Sequence, residues 1–128
     1  MKKQKNKVLN LKVKIISGVW RRRNINFLSK KNLRPTKSII RETLFNWLGN
    51  DLSDLTCLDL FAGSGILGFE SASRGAENVY LVDIDSDVTR CLEEQKNILD
   101  AKNIFIEHSS SVDFISKFTG KVDLLFLD

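Results

Sequence analysis

Cys57-Leu-Asp-Leu-Phe-Ala-Gly-Ser-Gly-Ile-Leu-Gly-Phe-Glu70 is the stretch on which the fold turns. Cys57 to Phe61 is a short apolar run that reads as a buried strand. Ala62-Gly63-Ser64-Gly65 reads as a turn, and a helical pattern starts at Ile66. Strand, glycine turn and helix in that order is the setting in which a Gly-x-Gly loop binds a nucleotide-like ligand. Gly63 permits a turn that a Cβ would hinder, and Gly65 is expected to let a ligand approach the backbone. The helix start points unpaired N–H groups and a positive dipole end at that ligand. Val79-Tyr-Leu-Val-Asp83 reads as a second buried strand, and Asp83 lies 20 residues after Gly63. In a right-handed βαβ unit that spacing puts the Asp83 carboxylate beside the glycine loop, within reach of a ribose diol.

The ribose ligand has two readings. Gly63, Gly65 and Gly68 match G-x-G-x-x-G, which admits a nicotinamide or flavin dinucleotide and hence an NAD-dependent oxidoreductase. Against it stands Asp59, four residues before Gly63, where a carboxylate would repel a pyrophosphate. An acid there suits a ligand carrying an ammonium group, such as the methionine part of S-adenosylmethionine. Asp59-x-Phe61-Ala62-Gly63-Ser64-Gly65 also resembles motif I of Rossmann-like methyltransferases, in which an acid precedes the glycines.

At 128 residues the chain is one domain, large enough for a core and short for a complete doubly wound enzyme. Apolar residues at 42% and charged residues at 28% are ordinary for a globular chain. No apolar run approaches the length of a membrane span, and no signal-peptide core is present. Cys57 and Cys91 are far apart and lie in apolar patterns, so buried free thiols in a reducing cytoplasm are expected. The single His108 has no partners at metal-ligand spacing, so no metal is expected. Net charge is +4, but residues 1–41 hold 14 Lys or Arg and no acid, whereas residues 42–128 hold 6 Lys or Arg and all 16 acids. A basic arm on an acidic domain points to a nucleic-acid partner, with phosphate contacts that weaken as salt rises.

In chain order, residues 1–11 read as a disordered basic tail and 12–35 as a basic hairpin. Val13, Ile15 and Ser17 alternate along its first strand, and Gly18 bends the chain. Trp20-Arg21-Arg22-Arg23-Asn24-Ile25-Asn26-Phe27 follows as partner strand or extended loop. Trp20 either stacks on a base or covers the hairpin's own apolar face. Pro35 ends the arm and Thr36 is the expected N-cap of a helix presenting Ile40, Leu44, Trp47 and Leu48 to the core. Arg34, Lys37 and Arg41 can reach phosphates or a ligand mouth, though Arg41-Glu42 also reads as surface charge. Asp85 or Ser86 caps a further helix with Val88, Cys91, Leu92, Gln95 and Leu99 inward. Strand three spans Ile104 to Glu107, and Ser110 either touches an adenine or caps the next helix. Val122-Asp-Leu-Leu-Phe-Leu-Asp128 is a fourth buried strand.

The chain from about Lys12 to Asp128 resembles the RsmD-type bacterial 16S ribosomal RNA guanine-N2 methyltransferases. The likeness is carried by Ile15-Ile16-Ser17-Gly18-x-Trp20-Arg21, Leu33-Arg34-Pro35-Thr36, Arg41-Glu-Thr-Leu-Phe-Asn-Trp-Leu48, Leu58-Asp-x-Phe-Ala-Gly-Ser-Gly-x-Leu-Gly68, Val82-Asp-x-Asp85 and Phe126-Leu-Asp128. It implies an α/β, Rossmann-like class I S-adenosylmethionine-dependent methyltransferase fold over residues 36–128. Only the first four strands are expected, in spatial order 3-2-1-4, preceded by the basic hairpin and a helix. Strand four would form a bare apolar edge.

It implies S-adenosylmethionine as cofactor, with Phe61, Ala62, Gly63, Ser64 and Gly65 around it. Asp59 would take its ammonium, Asp83 its ribose, and Ser110 would stand near its adenine. It implies 16S rRNA or the small ribosomal subunit as partner, contacted by Trp20, Arg21, Arg22, Arg23, Arg34 and Lys37, and a monomer. Asp128 would hydrogen-bond the target amino group as the catalytic acid of an Asp-Pro-Pro-Phe motif. The prolines and aromatic of that motif are not in these residues, so transfer by this chain alone is expected to be impaired or lost. A non-catalytic RNA-binding remnant is the competing reading.

Overall fold

The computed structural model describes residues 10–30 and 34–128. Of the tail expected over 1–11, residues 1–9 lie outside this range, as does Leu33. Asn10 and Leu11 belong to the first strand. The chain forms a small antiparallel hairpin, β1 (Asn10–Lys14) and β2 (Asn24–Leu28), with Val13 opposite Ile25. Then come α1 (Ser38–Leu48), β3 (Thr56–Asp59), α2 (Ile66–Ser73), β4 (Asn78–Asp83) and α3 (Ser86–Leu99). They are followed by β5 (Ile104–His108), α4 (Ser111–Lys117) and β6 (Leu124–Phe126). The last four strands make a parallel sheet in the order β5-β4-β3-β6, which is the expected 3-2-1-4.

Two strands end earlier and one starts later than their apolar runs suggest, and a carboxylate stands at each of these limits. β1 stops at Lys14 rather than Ser17 because the N–H groups of Ile16 and Ser17 each donate to the Glu70 carboxylate at 2.9 Å. β3 stops at Asp59 because Asp59 Oδ1 accepts from its own chain two residues on, at Phe61 N, 3.2 Å. Phe61 is thereby turned out and left 54% exposed. β6 starts only at Leu124 because Asp123 turns its side chain on Thr56 N, at 2.9 Å, beside the main-chain bond from Asp123 N to Thr56 O.

α1 is rotated from its expected face. Its buried residues are Arg41 and Phe45, with Leu44 and Leu48 half-buried, whereas Ile40 is 54% and Trp47 81% exposed. The apolar periodicity misled because a buried carboxylate, Glu70, gives Arg41 a partner inside the fold. Thr36 is not the cap: Lys37 precedes the helix and no side chain caps it. Cys57 is buried and Cys91 half-buried, both free, and burial pushes the Cys57 thiol up to about 11.

α2 is the pivot of the packing. All eight of its residues are buried. One side lies on the sheet, where a Cβ on Gly68 would come within 2.2 Å of Leu81 Cδ2. Another side carries the hairpin, and Ile15 and Ile25 join Phe45, Phe69, Leu81 and Phe126 in one core. The sheet's second face is smaller, built on Leu58, Leu60 and Val82 with Tyr80 and Phe114 against them. The hairpin turn is fastened to the end of α2. Val19 N donates to Ser73 O at 2.8 Å and Trp20 N to Ser73 Oγ at 2.9 Å. Gly18 sits at φ +93°, and a Cβ there would lie 2.0 Å from Ser73 O. Backbone cannot yield as a flexible side chain does. Gly18→Ala is therefore expected to cost about 2–4 kcal/mol, read from the urea midpoint; a cost below about 0.5 kcal/mol would show that the turn is loosely held.

Candidate functional site

Parallel topology delivers the carboxyl ends of β3, β4 and β6 to one side of the sheet. There Asp59, Asp83 and Asp128 line a single cavity of about 270 Å³, with the Phe61–Ser64 loop below and Arg34, Pro35 and Thr36 beside it. The βα loop that makes its floor is tightly specified. Ala62 N donates to Val82 O at 2.9 Å, and Gly65 N to Ala62 O at 2.8 Å. The Ser64 hydroxyl accepts from Ile66 N at 3.3 Å at the start of α2. Gly63 has φ +56° and Gly65 φ +83°.

Asp83 stands beside the glycine loop. Its Oδ2 accepts from Gly63 N at 3.0 Å and its Oδ1 from Asp85 N at 3.0 Å. Each oxygen keeps a second lone pair, so the carboxylate is fixed in orientation and still able to accept from a diol. Asp59 is 2% exposed. Burial pushes its carboxyl up to about 7; the Phe61 N–H opposes this, and the charges of Asp128 and Asp83 add to it. An acid held out of water among other acids is a receptor for a cation, since an incoming positive charge restores its ionised form. Asp85 caps α3, accepting from Asp87 N and Val88 N. Lys30 bonds it at 2.8 Å and holds its carboxyl below the usual range. Asp128 is exposed at the cavity edge and accepts from the Thr36 hydroxyl.

The expected site residues fall into three groups. Asp59, Phe61, Ala62, Gly63, Ser64, Asp83 and Asp128 line the cavity together. Ser110 lies apart: its hydroxyl caps α4, accepting from Asp113 N at 3.1 Å. It lines a neighbouring cleft of about 150 Å³ that shares Phe61 and Asp83 with the cavity. Gly65 does not line the cavity. A Cβ on it would come within 2.5 Å of Leu92 and 2.8 Å of Phe69, so packing by itself requires glycine there.

The basic residues are divided between the two ends of α2. Arg34 lines the cavity and Lys37 is exposed at the start of α1. Arg21, Arg22 and Arg23 are exposed on the hairpin turn, at the carboxyl end of α2 and roughly 12 Å along that helix from the glycine loop. Trp20 is half-buried and packs on the core, which favours the covering role over stacking on a base. Arg41 is turned into the fold rather than to the surface. It is 3% exposed, donating through Nε to Thr36 O at 3.0 Å and through a terminal nitrogen to Lys14 O at 3.1 Å.

Sequence reasoning took Thr36 for a helix cap rather than a cavity residue, and passed over Lys30 and the buried Glu70. Only Glu70 left a signal: it is the sole charged residue in an eight-residue, otherwise uncharged helix. Among the described residues no cluster of His, Cys, Asp or Glu could hold a metal ion, and no helix is long and apolar enough to cross a membrane.

The cavity suits one of the two ribose ligands. Four carboxylates line it, Asp59, Asp83, Asp85 and Asp128, and the Lys30 ammonium is already paired with Asp85 and Asp87. A pyrophosphate would meet a negative wall. A Cβ on the second glycine of the dinucleotide pattern, Gly65, would meet Leu92 and Phe69, and one on the third, Gly68, would meet Leu81 of the sheet, a close helix–strand packing that the dinucleotide pattern shares.

Comparison with known proteins gives the family and the fold. The family model described as Conserved hypothetical protein 95 matches residues 13–128. A Haemophilus influenzae protein named ribosomal RNA small subunit methyltransferase D is 40% identical over 120 residues, covering 91% of this chain and 62% of that one. The protein of the same name from Escherichia coli K12 is 38% identical over 116 residues, covering 91% and 59%. This chain thus spans about three fifths of the length of the curated relatives it matches. The solved structure of yhhF from Escherichia coli superposes with a TM-score of 0.80 at 35% identity, covering 91% of this chain and 63% of that one.

Proposed function

This chain belongs to the family described as Conserved hypothetical protein 95, a methyltransferase family with a class I, Rossmann-like fold, and we propose that its function is S-adenosylmethionine-dependent methylation of a guanine N2 in 16S ribosomal RNA. The observation that carries the proposal is the convergence of Asp59, Asp83 and Asp128, from three adjacent strands, on one cavity floored by the glycine loop. The names of the relatives supply the substrate class, ribosomal RNA of the small subunit. The buried Asp59 and the loop-held Asp83 support a reading of the cavity as a cofactor half-site for an aminoacyl ammonium and a ribose.

When bound, S-adenosylmethionine supplies an already activated sulfonium methyl, so the protein's task is alignment and electrostatics. Asp59 takes the ammonium and Asp83 the ribose diol. Asp128 accepts a hydrogen bond from the exocyclic amino group of guanine and orients its nitrogen. Arg34 and Lys37 at the cavity side, and Arg21, Arg22 and Arg23 on the turn, contact phosphates and fix the register of the RNA. The serine cap at Ser110 borders the adenine end through the adjoining cleft.

The test is transfer of labelled methyl groups from S-adenosylmethionine to small ribosomal subunits that lack the modification, followed by digestion to nucleosides. N2-methylguanosine in 16S rRNA is the expected product. A methyl on another position or in another RNA would overturn the assignment. Salt-sensitive RNA binding without incorporation would instead support a binding role for the basic face.

A further inference from the structure

Thr36 and Asp128 are joined across the cavity, the threonine hydroxyl donating to Asp128 Oδ2. Thr36 belongs to the segment before α1, and Asp128 lies just past β6. The bond therefore links parts of the chain separated by 92 positions. Thr36 is in turn held from behind. Its carbonyl accepts from Arg41 Nε at 3.0 Å. Arg41 is buried and also bonds Lys14 O, and it faces Glu70 Oε1 at 3.9 Å. Glu70 is itself immobilised by two main-chain N–H groups and by Arg74 Nε at 3.0 Å. A continuous chain of polar contacts thus runs from the centre of the fold to an exposed carboxylate at the cavity edge.

That carboxylate needs holding. Asp128 shares its cavity with Asp59, Asp83 and Asp85, and like charges would drive an exposed side chain out toward water. A donor on Oδ2 opposes this and leaves Oδ1 to accept from an incoming amine. We propose that Thr36 is a positioning residue that pins the Asp128 carboxylate toward the cavity through its hydroxyl, with buried Arg41 fixing the Thr36 backbone. This rests on the assignment of Asp128 to the acceptor amine made above. Thr36 touches neither cofactor nor acceptor in this account and acts through Asp128.

The test compares Thr36→Val, which keeps shape and backbone but removes the donor, with Thr36→Ser, which restores it. Crystal structures of the three proteins report the Asp128 carboxylate directly. It is expected to leave its place in Thr36→Val and to keep it in Thr36→Ser. S-adenosylhomocysteine binding is expected to stay within twofold in both. In methyl transfer, Thr36→Val is expected to lower kcat about 10–100-fold with KM for S-adenosylmethionine unchanged, because misplacing an orienting group by about 1 Å is worth that much. An Asp128 carboxylate unmoved in Thr36→Val, or one displaced equally in Thr36→Ser, overturns the proposal. Without transfer by the unaltered protein, S-adenosylhomocysteine binding still decides the cofactor assignment and the position of Asp128 still decides the pinning.

Discussion

Asp59→Asn is expected to weaken S-adenosylhomocysteine binding about 10–100-fold while making the free protein more stable at pH 8. Both effects have one origin. Asp59 is 2% exposed and its carboxyl is pushed up to about 7 by burial, with the neighbouring acids adding to the shift. A carboxyl whose pKa rises on folding holds more protons folded than unfolded between about pH 4 and pH 7. Stability from this group is thus complete below pH 4 and is lost as pH climbs through 7. Asparagine carries no charge to desolvate and preserves an acceptor for Phe61 N, whose bond to Asp59 is 3.2 Å. The gain at pH 8 is expected to be about 2–4 kcal/mol, vanishing near pH 4. Binding moves the other way because a charge-assisted bond to the ligand ammonium, worth about 1.5–3 kcal/mol, is gone. Chemical denaturation at pH 4 and pH 8 and calorimetric titration check the two halves. Equal stability of both proteins at pH 8 would show that the acid is not held in the costly charged state.

Glu70→Ala is expected to be the most damaging single change away from the cavity. The carboxylate is fully buried, accepts from Ile16 N, Ser17 N and Arg74 Nε, and faces Arg41. Arg41 and Arg74 are themselves 3% and 6% exposed. Removing the acid leaves two buried guanidinium groups uncompensated and two main-chain donors without their acceptor. The expected loss is about 3–5 kcal/mol, a third or more of the stability of an ordinary domain. The hairpin should detach first, since two of the bonds that tie it to α2 end on that carboxylate and only those at Ser73 remain. Amide exchange in β1 and β2 should accelerate more than in β3 and β4. A loss under 1 kcal/mol, or uniform acceleration, would contradict this picture of Glu70 as the tie between hairpin and sheet.

These expectations show how legibility was distributed along the chain. The βαβ unit could be read because period, glycine turn and terminal acids agree, so the meeting of Asp59 with Asp83 was legible in the residues, whereas the sheet order followed from the family resemblance. Helix α1 was misread because amphipathic periodicity counts Arg41 as surface and Trp47 as core, whereas the buried Glu70 inverts both. Gly65 was legible as part of a glycine turn, but only three-dimensional packing shows that a Cβ there would meet Leu92 and Phe69. Thr36 was legible as a candidate cap but not as the partner of Asp128, which is 92 positions distant. The basic arm could be read as charge, yet not its division between the two ends of α2, which follows from the bonds of Ser73 to the hairpin turn.

The central claim, that the cavity between Asp59 and Asp83 takes a ligand with an ammonium and a ribose, is tested most directly by titrating the protein with S-adenosylhomocysteine and with NAD in parallel. Micromolar binding of the first is expected, with no binding of the second, and a weakening of the first by about 10–100-fold when Asp59 is replaced by asparagine. Binding of NAD alone, or S-adenosylhomocysteine binding indifferent to Asp59, would contradict it.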